Sequence, residues 1–188
     1  KEDDDHHSPN EMETYRLSLR RALERSGVRQ HIYRGELTPA TEVSELRGKL
    51  LILLRTRIGD DVCMPYFDGF QDDTTFVARL VNPCGGALDL IVEDKYMVHD
   101  TIGMRDKKSA LSEVLDLAET MPDHWMIAYL SGTGDLTPKA VAEELNPFAY
   151  RLLRERTSLP GGIYFMDFAG MPEARVIITL CKKHNSKI

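Results

Sequence analysis

Residues 50–54 read Leu-Leu-Ile-Leu-Leu, apolar at every position between Gly48-Lys49 and Arg55. A strand with one wet face alternates apolar and polar residues, whereas an unbroken apolar run is buried on both faces, as in a parallel sheet covered by helices. Residues 50–55 are therefore expected to form a buried parallel strand whose charge arrives only at its end. Further strand candidates are 88–94 (Leu-Asp-Leu-Ile-Val-Glu-Asp), 125–130 (Trp-Met-Ile-Ala-Tyr-Leu) and 162–167 (Gly-Ile-Tyr-Phe-Met-Asp).

Helical periodicity fills the intervals. Leu111, Val114, Leu115 and Ala118 share a face within 107–120, and a second helix runs from Pro138 through Ala142, Leu145, Ala149 and Leu153, where Pro147 is expected to introduce a kink. Pro172-Glu173 opens a last helix. Near the start, Ser8 offers a cap, Pro9 the first helical position and Glu11 an acid in the first turn; Met12, Tyr15, Leu19 and Leu23 follow at helical spacing and Gly27 stops a helix of about 9–26. Strands alternating with helices imply crossover connections and a parallel sheet. About four strand-helix units are visible, where a closed barrel takes eight and about 250 residues. The expected organisation is one domain over 1–188 that is half of a parallel α/β barrel. The opening Lys1-Glu2-Asp3, without an initiator methionine, reads as a fragment or processed product.

Composition removes several classes of function. The 24 Lys+Arg against 30 Asp+Glu leave a formal charge of -6, and no stretch concentrates cations enough to follow a phosphate backbone, so no nucleic-acid partner is expected. No apolar run approaches the ~20 residues of a membrane span. Cys63, Cys84 and Cys181 are odd in number and lack metal-site spacing, which favours thiols over a disulfide framework.

The strand ends carry the functional argument. In parallel α/β folds the packed interior excludes charge, and reactive groups gather where the carboxyl ends of strands open onto loops. Arg55, Asp94 with Tyr96, Ser131 and Asp167 occupy such places. Plainer readings apply to other motifs. His99-Asp100-Thr101 reads as a solvated loop, His6-His7 as surface, and Lys182-Lys183 as a solvated helix face. Ser131-Gly132-Thr133-Gly134 lacks the Lys-Ser/Thr ending of a nucleotide loop and reads as a strand-to-helix turn. The plainer reading of Arg55 is a charge network with Asp94 or Asp167, and that of Tyr96 is strand-end packing.

From Gly48-Lys49 through Arg55 the chain resembles the second half of the bacterial-type phosphatidylinositol-specific phospholipases C. The likeness continues in order with Phe70 and Asp72, Asp94-Lys95-Tyr96, Asn146-Pro147 and the apolar strand ending at Asp167. The resemblance implies the C-terminal half of a TIM-like, distorted β/α barrel of the phospholipase C-like phosphodiesterase type. It implies cleavage of phosphatidylinositol to diacylglycerol and an inositol 1,2-cyclic phosphate: the inositol 2-hydroxyl attacks phosphorus, one histidine acting as base and another as acid. Both histidines belong to the N-terminal half, the expected partner of this chain.

By the same resemblance Lys1, Arg55 and Asp94 bond inositol hydroxyls, Tyr96 lies flat on the ring, Phe70 and Asp72 stand in a rim loop, and Asp167 orients the base histidine. The family usually has tryptophan where Phe70 stands, which puts that contact in question. Lys1 argues for metal-independent chemistry without a cofactor, although calcium-dependent relatives carry a carboxylate there and a register shift of one would substitute Glu2. The implied setting is a membrane surface bearing phosphatidylinositol or a related phosphodiester, with the protein secreted or peripheral. The alternative is a non-catalytic relative binding inositol phosphates or lipid headgroups; a structural α/β interaction protein is a third.

Overall fold

The computed structural model describes residues 8–55, 57–58, 64–83, 85–156 and 162–185, with backbone alone for 182–185. Lys1, His6, His7, Cys63 and Cys84 lie outside the described residues, as do the side chains of Lys182 and Lys183. The strands follow one another in the order β1-β2-β3-β4-β5. The chain divides into two compact units, one of 1–70 with 78–88 and the other of 71–77 with 89–188.

In the first unit, helix α1 (Pro9–Ser26) is defined by local chemistry. The Ser8 hydroxyl accepts the Glu11 N–H at 3.4 Å while the Ser8 N–H donates to the Glu11 carboxylate at 2.7 Å, a reciprocal cap that satisfies two otherwise orphaned donors. Gly27 ends the helix at φ 69, a left-handed conformation that costs a residue without Cβ little. No residue of α1 is buried.

The expected buried strand at 50–55 takes a weaker form. Leu50 makes a parallel bridge to Ile32 and Leu54 another to Tyr66, with no ladder between them. Leu50 is 44% exposed and residues 51–55 are only half-buried. The pairing has the parallel sense that was expected, but a different extended segment touches each end of the run. Strand β1 (Tyr66–Asp68) then pairs with β2 (Thr75–Val81) antiparallel, Phe67 opposite Leu80, which corrects the expectation of a wholly parallel sheet. β2 reads by strict alternation: Phe76, Ala78 and Leu80 are buried while Val77 and Arg79 are exposed.

The second unit follows the expected grammar closely. Strands β3 (Ala87–Glu93), β4 (Trp125–Leu130) and β5 (Gly162–Met166) pair in parallel, Glu93 beside Ala128 and Leu130 beside Met166. Helix α2 (Thr101–Thr120) connects β3 to β4, α3 (Pro138–Glu155) connects β4 to β5, and α4 (Pro172–Asn185) follows. α2 begins earlier than its apolar face suggests because the Asp100 carboxylate accepts the Gly103 N–H at 2.8 Å and caps it. α3 starts under the Thr137 hydroxyl with Pro138 at its first position and continues as one helix through Pro147. Ile91, Leu115, Leu130, Leu145 and Ile177 are fully buried in one core. No helix among the described residues is long and apolar enough to cross a membrane.

Candidate functional site

Where β3 ends, the second unit gathers an unusual density of charge. Asp94, nearly buried at 6% exposure, is the first residue past the strand, and its N–H donates to the Thr74 carbonyl at 3.0 Å. Asp73 adopts φ 52, in the left-handed region that acidic residues tolerate better than bulky ones. Its carboxylate accepts the N–H groups of Tyr96 at 3.0 Å and Met97 at 2.8 Å. The Tyr96 hydroxyl donates to Asp72 at 2.9 Å, which fixes the rotation of the phenol. A half-buried aromatic face and a near-buried carboxylate are thereby held two residues apart on one short loop.

The loop after β4 braces this one. Val98 N–H donates to the Thr133 carbonyl at 2.7 Å and Thr133 N–H to the Tyr96 carbonyl at 2.8 Å, a bridge between the segments that leave two neighbouring strands. Gly134, at φ 149, is required: a Cβ there would stand 2.6 Å from the Val98 carbonyl oxygen. Ser131-Gly132-Thr133-Gly134 is thus a strand-to-helix turn, as its sequence suggests.

Behind Asp94 lies a buried ion pair. Lys107, from α2, reaches both oxygens of Glu93 at 2.8 and 3.0 Å, and neither side chain has any exposure. One Glu93 oxygen also accepts the Lys95 N–H at 3.0 Å and the other the Tyr129 N–H at 3.2 Å. Burial pushes the Glu93 carboxyl up and the Lys107 ammonium down, and their attraction opposes both shifts. Asp94 and Asp73 add further negative charge near Lys107.

Asp167 follows β5 directly and so lies at the same carboxyl edge of the parallel strands as Asp94. The buried Asn146 amide donates to the Asp167 carbonyl at 3.2 Å and contacts the Met171 sulfur, fastening the turn in which Phe168 takes φ 53. Arg55 and Phe70 meet in the first unit, the guanidinium 3.9 Å from the ring centroid. Phe67 packs edge-on against Phe70 at 5.2 Å. Arg55 accordingly stacks on an aromatic plane. His99 is exposed beside Asp135, and its neighbour Asp100 serves as the α2 cap, in keeping with a solvated loop. Among the described residues no three His, Cys, Asp or Glu side chains gather as a metal site.

Sequence reasoning passed over Asp73, Glu93 and Lys107. A signal for the last was present: Lys107 falls on the stripe of Met104, Leu111, Val114 and Ala118, and a charge inside an apolar helical stripe demands a buried partner. Asp73 left none, because its partners are backbone groups 23 and 24 residues away.

No protein-family model matches this sequence, and no curated protein matches it. Solved structures do. A variant of the phosphatidylinositol-specific phospholipase C from Staphylococcus aureus aligns at TM-score 0.65 and 21% identity, over 90% of this chain and 55% of its own. Another variant of that enzyme aligns at TM-score 0.61 and 20% identity, over 84% and 52%. The phosphatidylinositol-specific phospholipase C from Listeria monocytogenes aligns at TM-score 0.56 and 17% identity, over 95% and 60%. The chain has the fold expected of half a TIM-like barrel of this type and spans about half the length of these structures.

Proposed function

We propose, from that shared barrel fold, that this chain supplies the headgroup-binding wall of a phospholipase C-like phosphodiesterase that cleaves phosphatidylinositol to diacylglycerol and a cyclic inositol phosphate. The remaining half of the barrel would bring the acid and base. The observation that carries the reading is the shared edge: Asp94 with Tyr96 after β3 and Asp167 after β5 stand at the carboxyl ends of parallel strands. An inositol ring offers hydroxyls around its rim and C–H bonds on its faces. Asp94 is suited to accept from hydroxyls, and the Tyr96 ring, held by Asp72, to lie against the C–H face. Arg55 would donate to hydroxyls from its stack on Phe70. Asp167 would bond the base histidine, setting its tautomer and stabilising its cation as the 2-hydroxyl proton is taken up. Lys1 would add a further cation. A phosphatidylinositol substrate would put the reaction at a membrane surface, which suits a secreted or peripheral protein.

The test mixes the full-length protein with phosphatidylinositol vesicles and follows cyclic phosphate release, with and without chelator. Release should occur in both, and Asp94→Ala or Arg55→Ala should lower kcat/KM at least about tenfold, about 1.4 kcal/mol of transition-state stabilisation. Unchanged rates would remove those residues from the site. Inositol binding without release would favour the non-catalytic headgroup-binding relative.

A further inference from the structure

The structure assigns a second function to the buried Glu93–Lys107 pair: beyond joining α2 to β3, the two are positioning residues that aim Asp94 and Tyr96 at the headgroup. This rests on the headgroup reading above. Each Glu93 oxygen accepts from Lys107 and from one backbone N–H, that of Lys95 or of Tyr129. The Lys95 N–H belongs to the peptide that joins Asp94 to Lys95, so anchoring it fixes the plane on which Asp94 is mounted and the approach of the chain to Tyr96 one residue on. Tyr129 is on β4, one residue past the Ala128 that pairs with Glu93, so the same carboxylate ties the strap to the neighbouring strand near its carboxyl end. Lys107 keeps a carboxylate tolerable at 0% exposure.

A purely structural pair needs opposite charges alone. The arrangement seen here also needs an acceptor with two oxygens at position 93, since two N–H groups converge on it. Asp73 holds Tyr96 and Met97 from the other side, so the strap is fastened on both flanks of the residues proposed to touch inositol.

E93L/K107M exchanges the buried ion pair for apolar residues of similar volume, often neutral in itself, and removes both acceptors, so the Lys95 and Tyr129 N–H groups are left unpaired at some cost in stability. With the full-length protein and phosphatidylinositol in mixed micelles, this variant should melt lower yet stay folded and keep kcat within about threefold while KM rises about tenfold, the signature of lost binding geometry. E93Q/K107M retains one acceptor oxygen and should show a smaller rise in KM; it carries the test if the first variant fails to fold. A folded variant with unchanged KM, or one whose kcat and KM fall only in step with its stability, would overturn the positioning role. An unaltered protein that released no cyclic phosphate would overturn the headgroup reading and this inference with it, whereas an active parent with indifferent variants would overturn the inference alone.

Discussion

Helix α1 and the β3–β4–β5 layer are both regular, yet they are held by different forces. α1 has a reciprocal cap at one end, a left-handed glycine at the other, surface ion pairs such as Arg16 with Glu13, and no buried residue. The layer also carries surface ion pairs, Lys108 with Glu144 and Arg156 with Glu119, but its strands and covering helices are fixed besides by side chains of near-zero exposure and by the buried Glu93–Lys107 pair. The first is written in neighbouring residues and can be read locally. The second depends on what is packed across the layer, and there the groups proposed for function are mounted.

The contrast can be broken most sharply at Lys107. Lys107→Ala strands the Glu93 carboxylate in the core and should cost about 3–5 kcal/mol at neutral pH, read by denaturant unfolding. The sign with pH follows from burial. Glu93 already has a folded-state pKa above its unfolded value, and losing Lys107 raises it further. A raised carboxyl contributes stability below its unfolded pKa and loses it as pH climbs through the folded one. The deficit of Lys107→Ala against the parent should thus shrink on acidification toward pH 5, and a deficit that grew instead would mean that Glu93 is not the stranded group.

An intermediate effect belongs to the apolar core. Leu115→Ala, at a position with no exposure, should cost about 2–5 kcal/mol. Leu17→Ala on α1, 36% exposed, should stay within about 0.5 kcal/mol. Comparable losses at the two positions would erase the distinction drawn between the regions. Between these two lies the cap: Ser8→Ala should lower the stability of α1 by about 1 kcal/mol and reduce helical circular dichroism.

The same division explains what could be read early. The strands at 88–94, 125–130 and 162–167, the cap of α1, the start of α3 at Pro138 and the half-barrel alternation were legible because mainly apolar runs, a Ser-Pro start, a helix-opening proline and helical spacing are local signals. The 50–55 run misled because continuous apolarity reports a preference for burial without saying which segments will supply it; the partners at Ile32 and Tyr66 each reach one end only. β2 was missed although its alternation at Phe76, Ala78 and Leu80 stood in plain view, and with it the antiparallel hairpin.

By itself the sequence determined which polar residues would follow strands: Asp94, Tyr96 and Asp167 come where the apolar runs end, because a packed parallel layer admits charge only where, as with Glu93 and Lys107, a buried partner meets it. Tertiary structure alone decided how they are held. The bonds from Asp73 to the Tyr96 and Met97 amides, from Glu93 to Lys107 and Tyr129, and from Asn146 to the Asp167 carbonyl join residues 14 to 36 positions apart. Such pairings leave no periodicity in a chain, because they come from the layer's register and from the helix that happens to cross it.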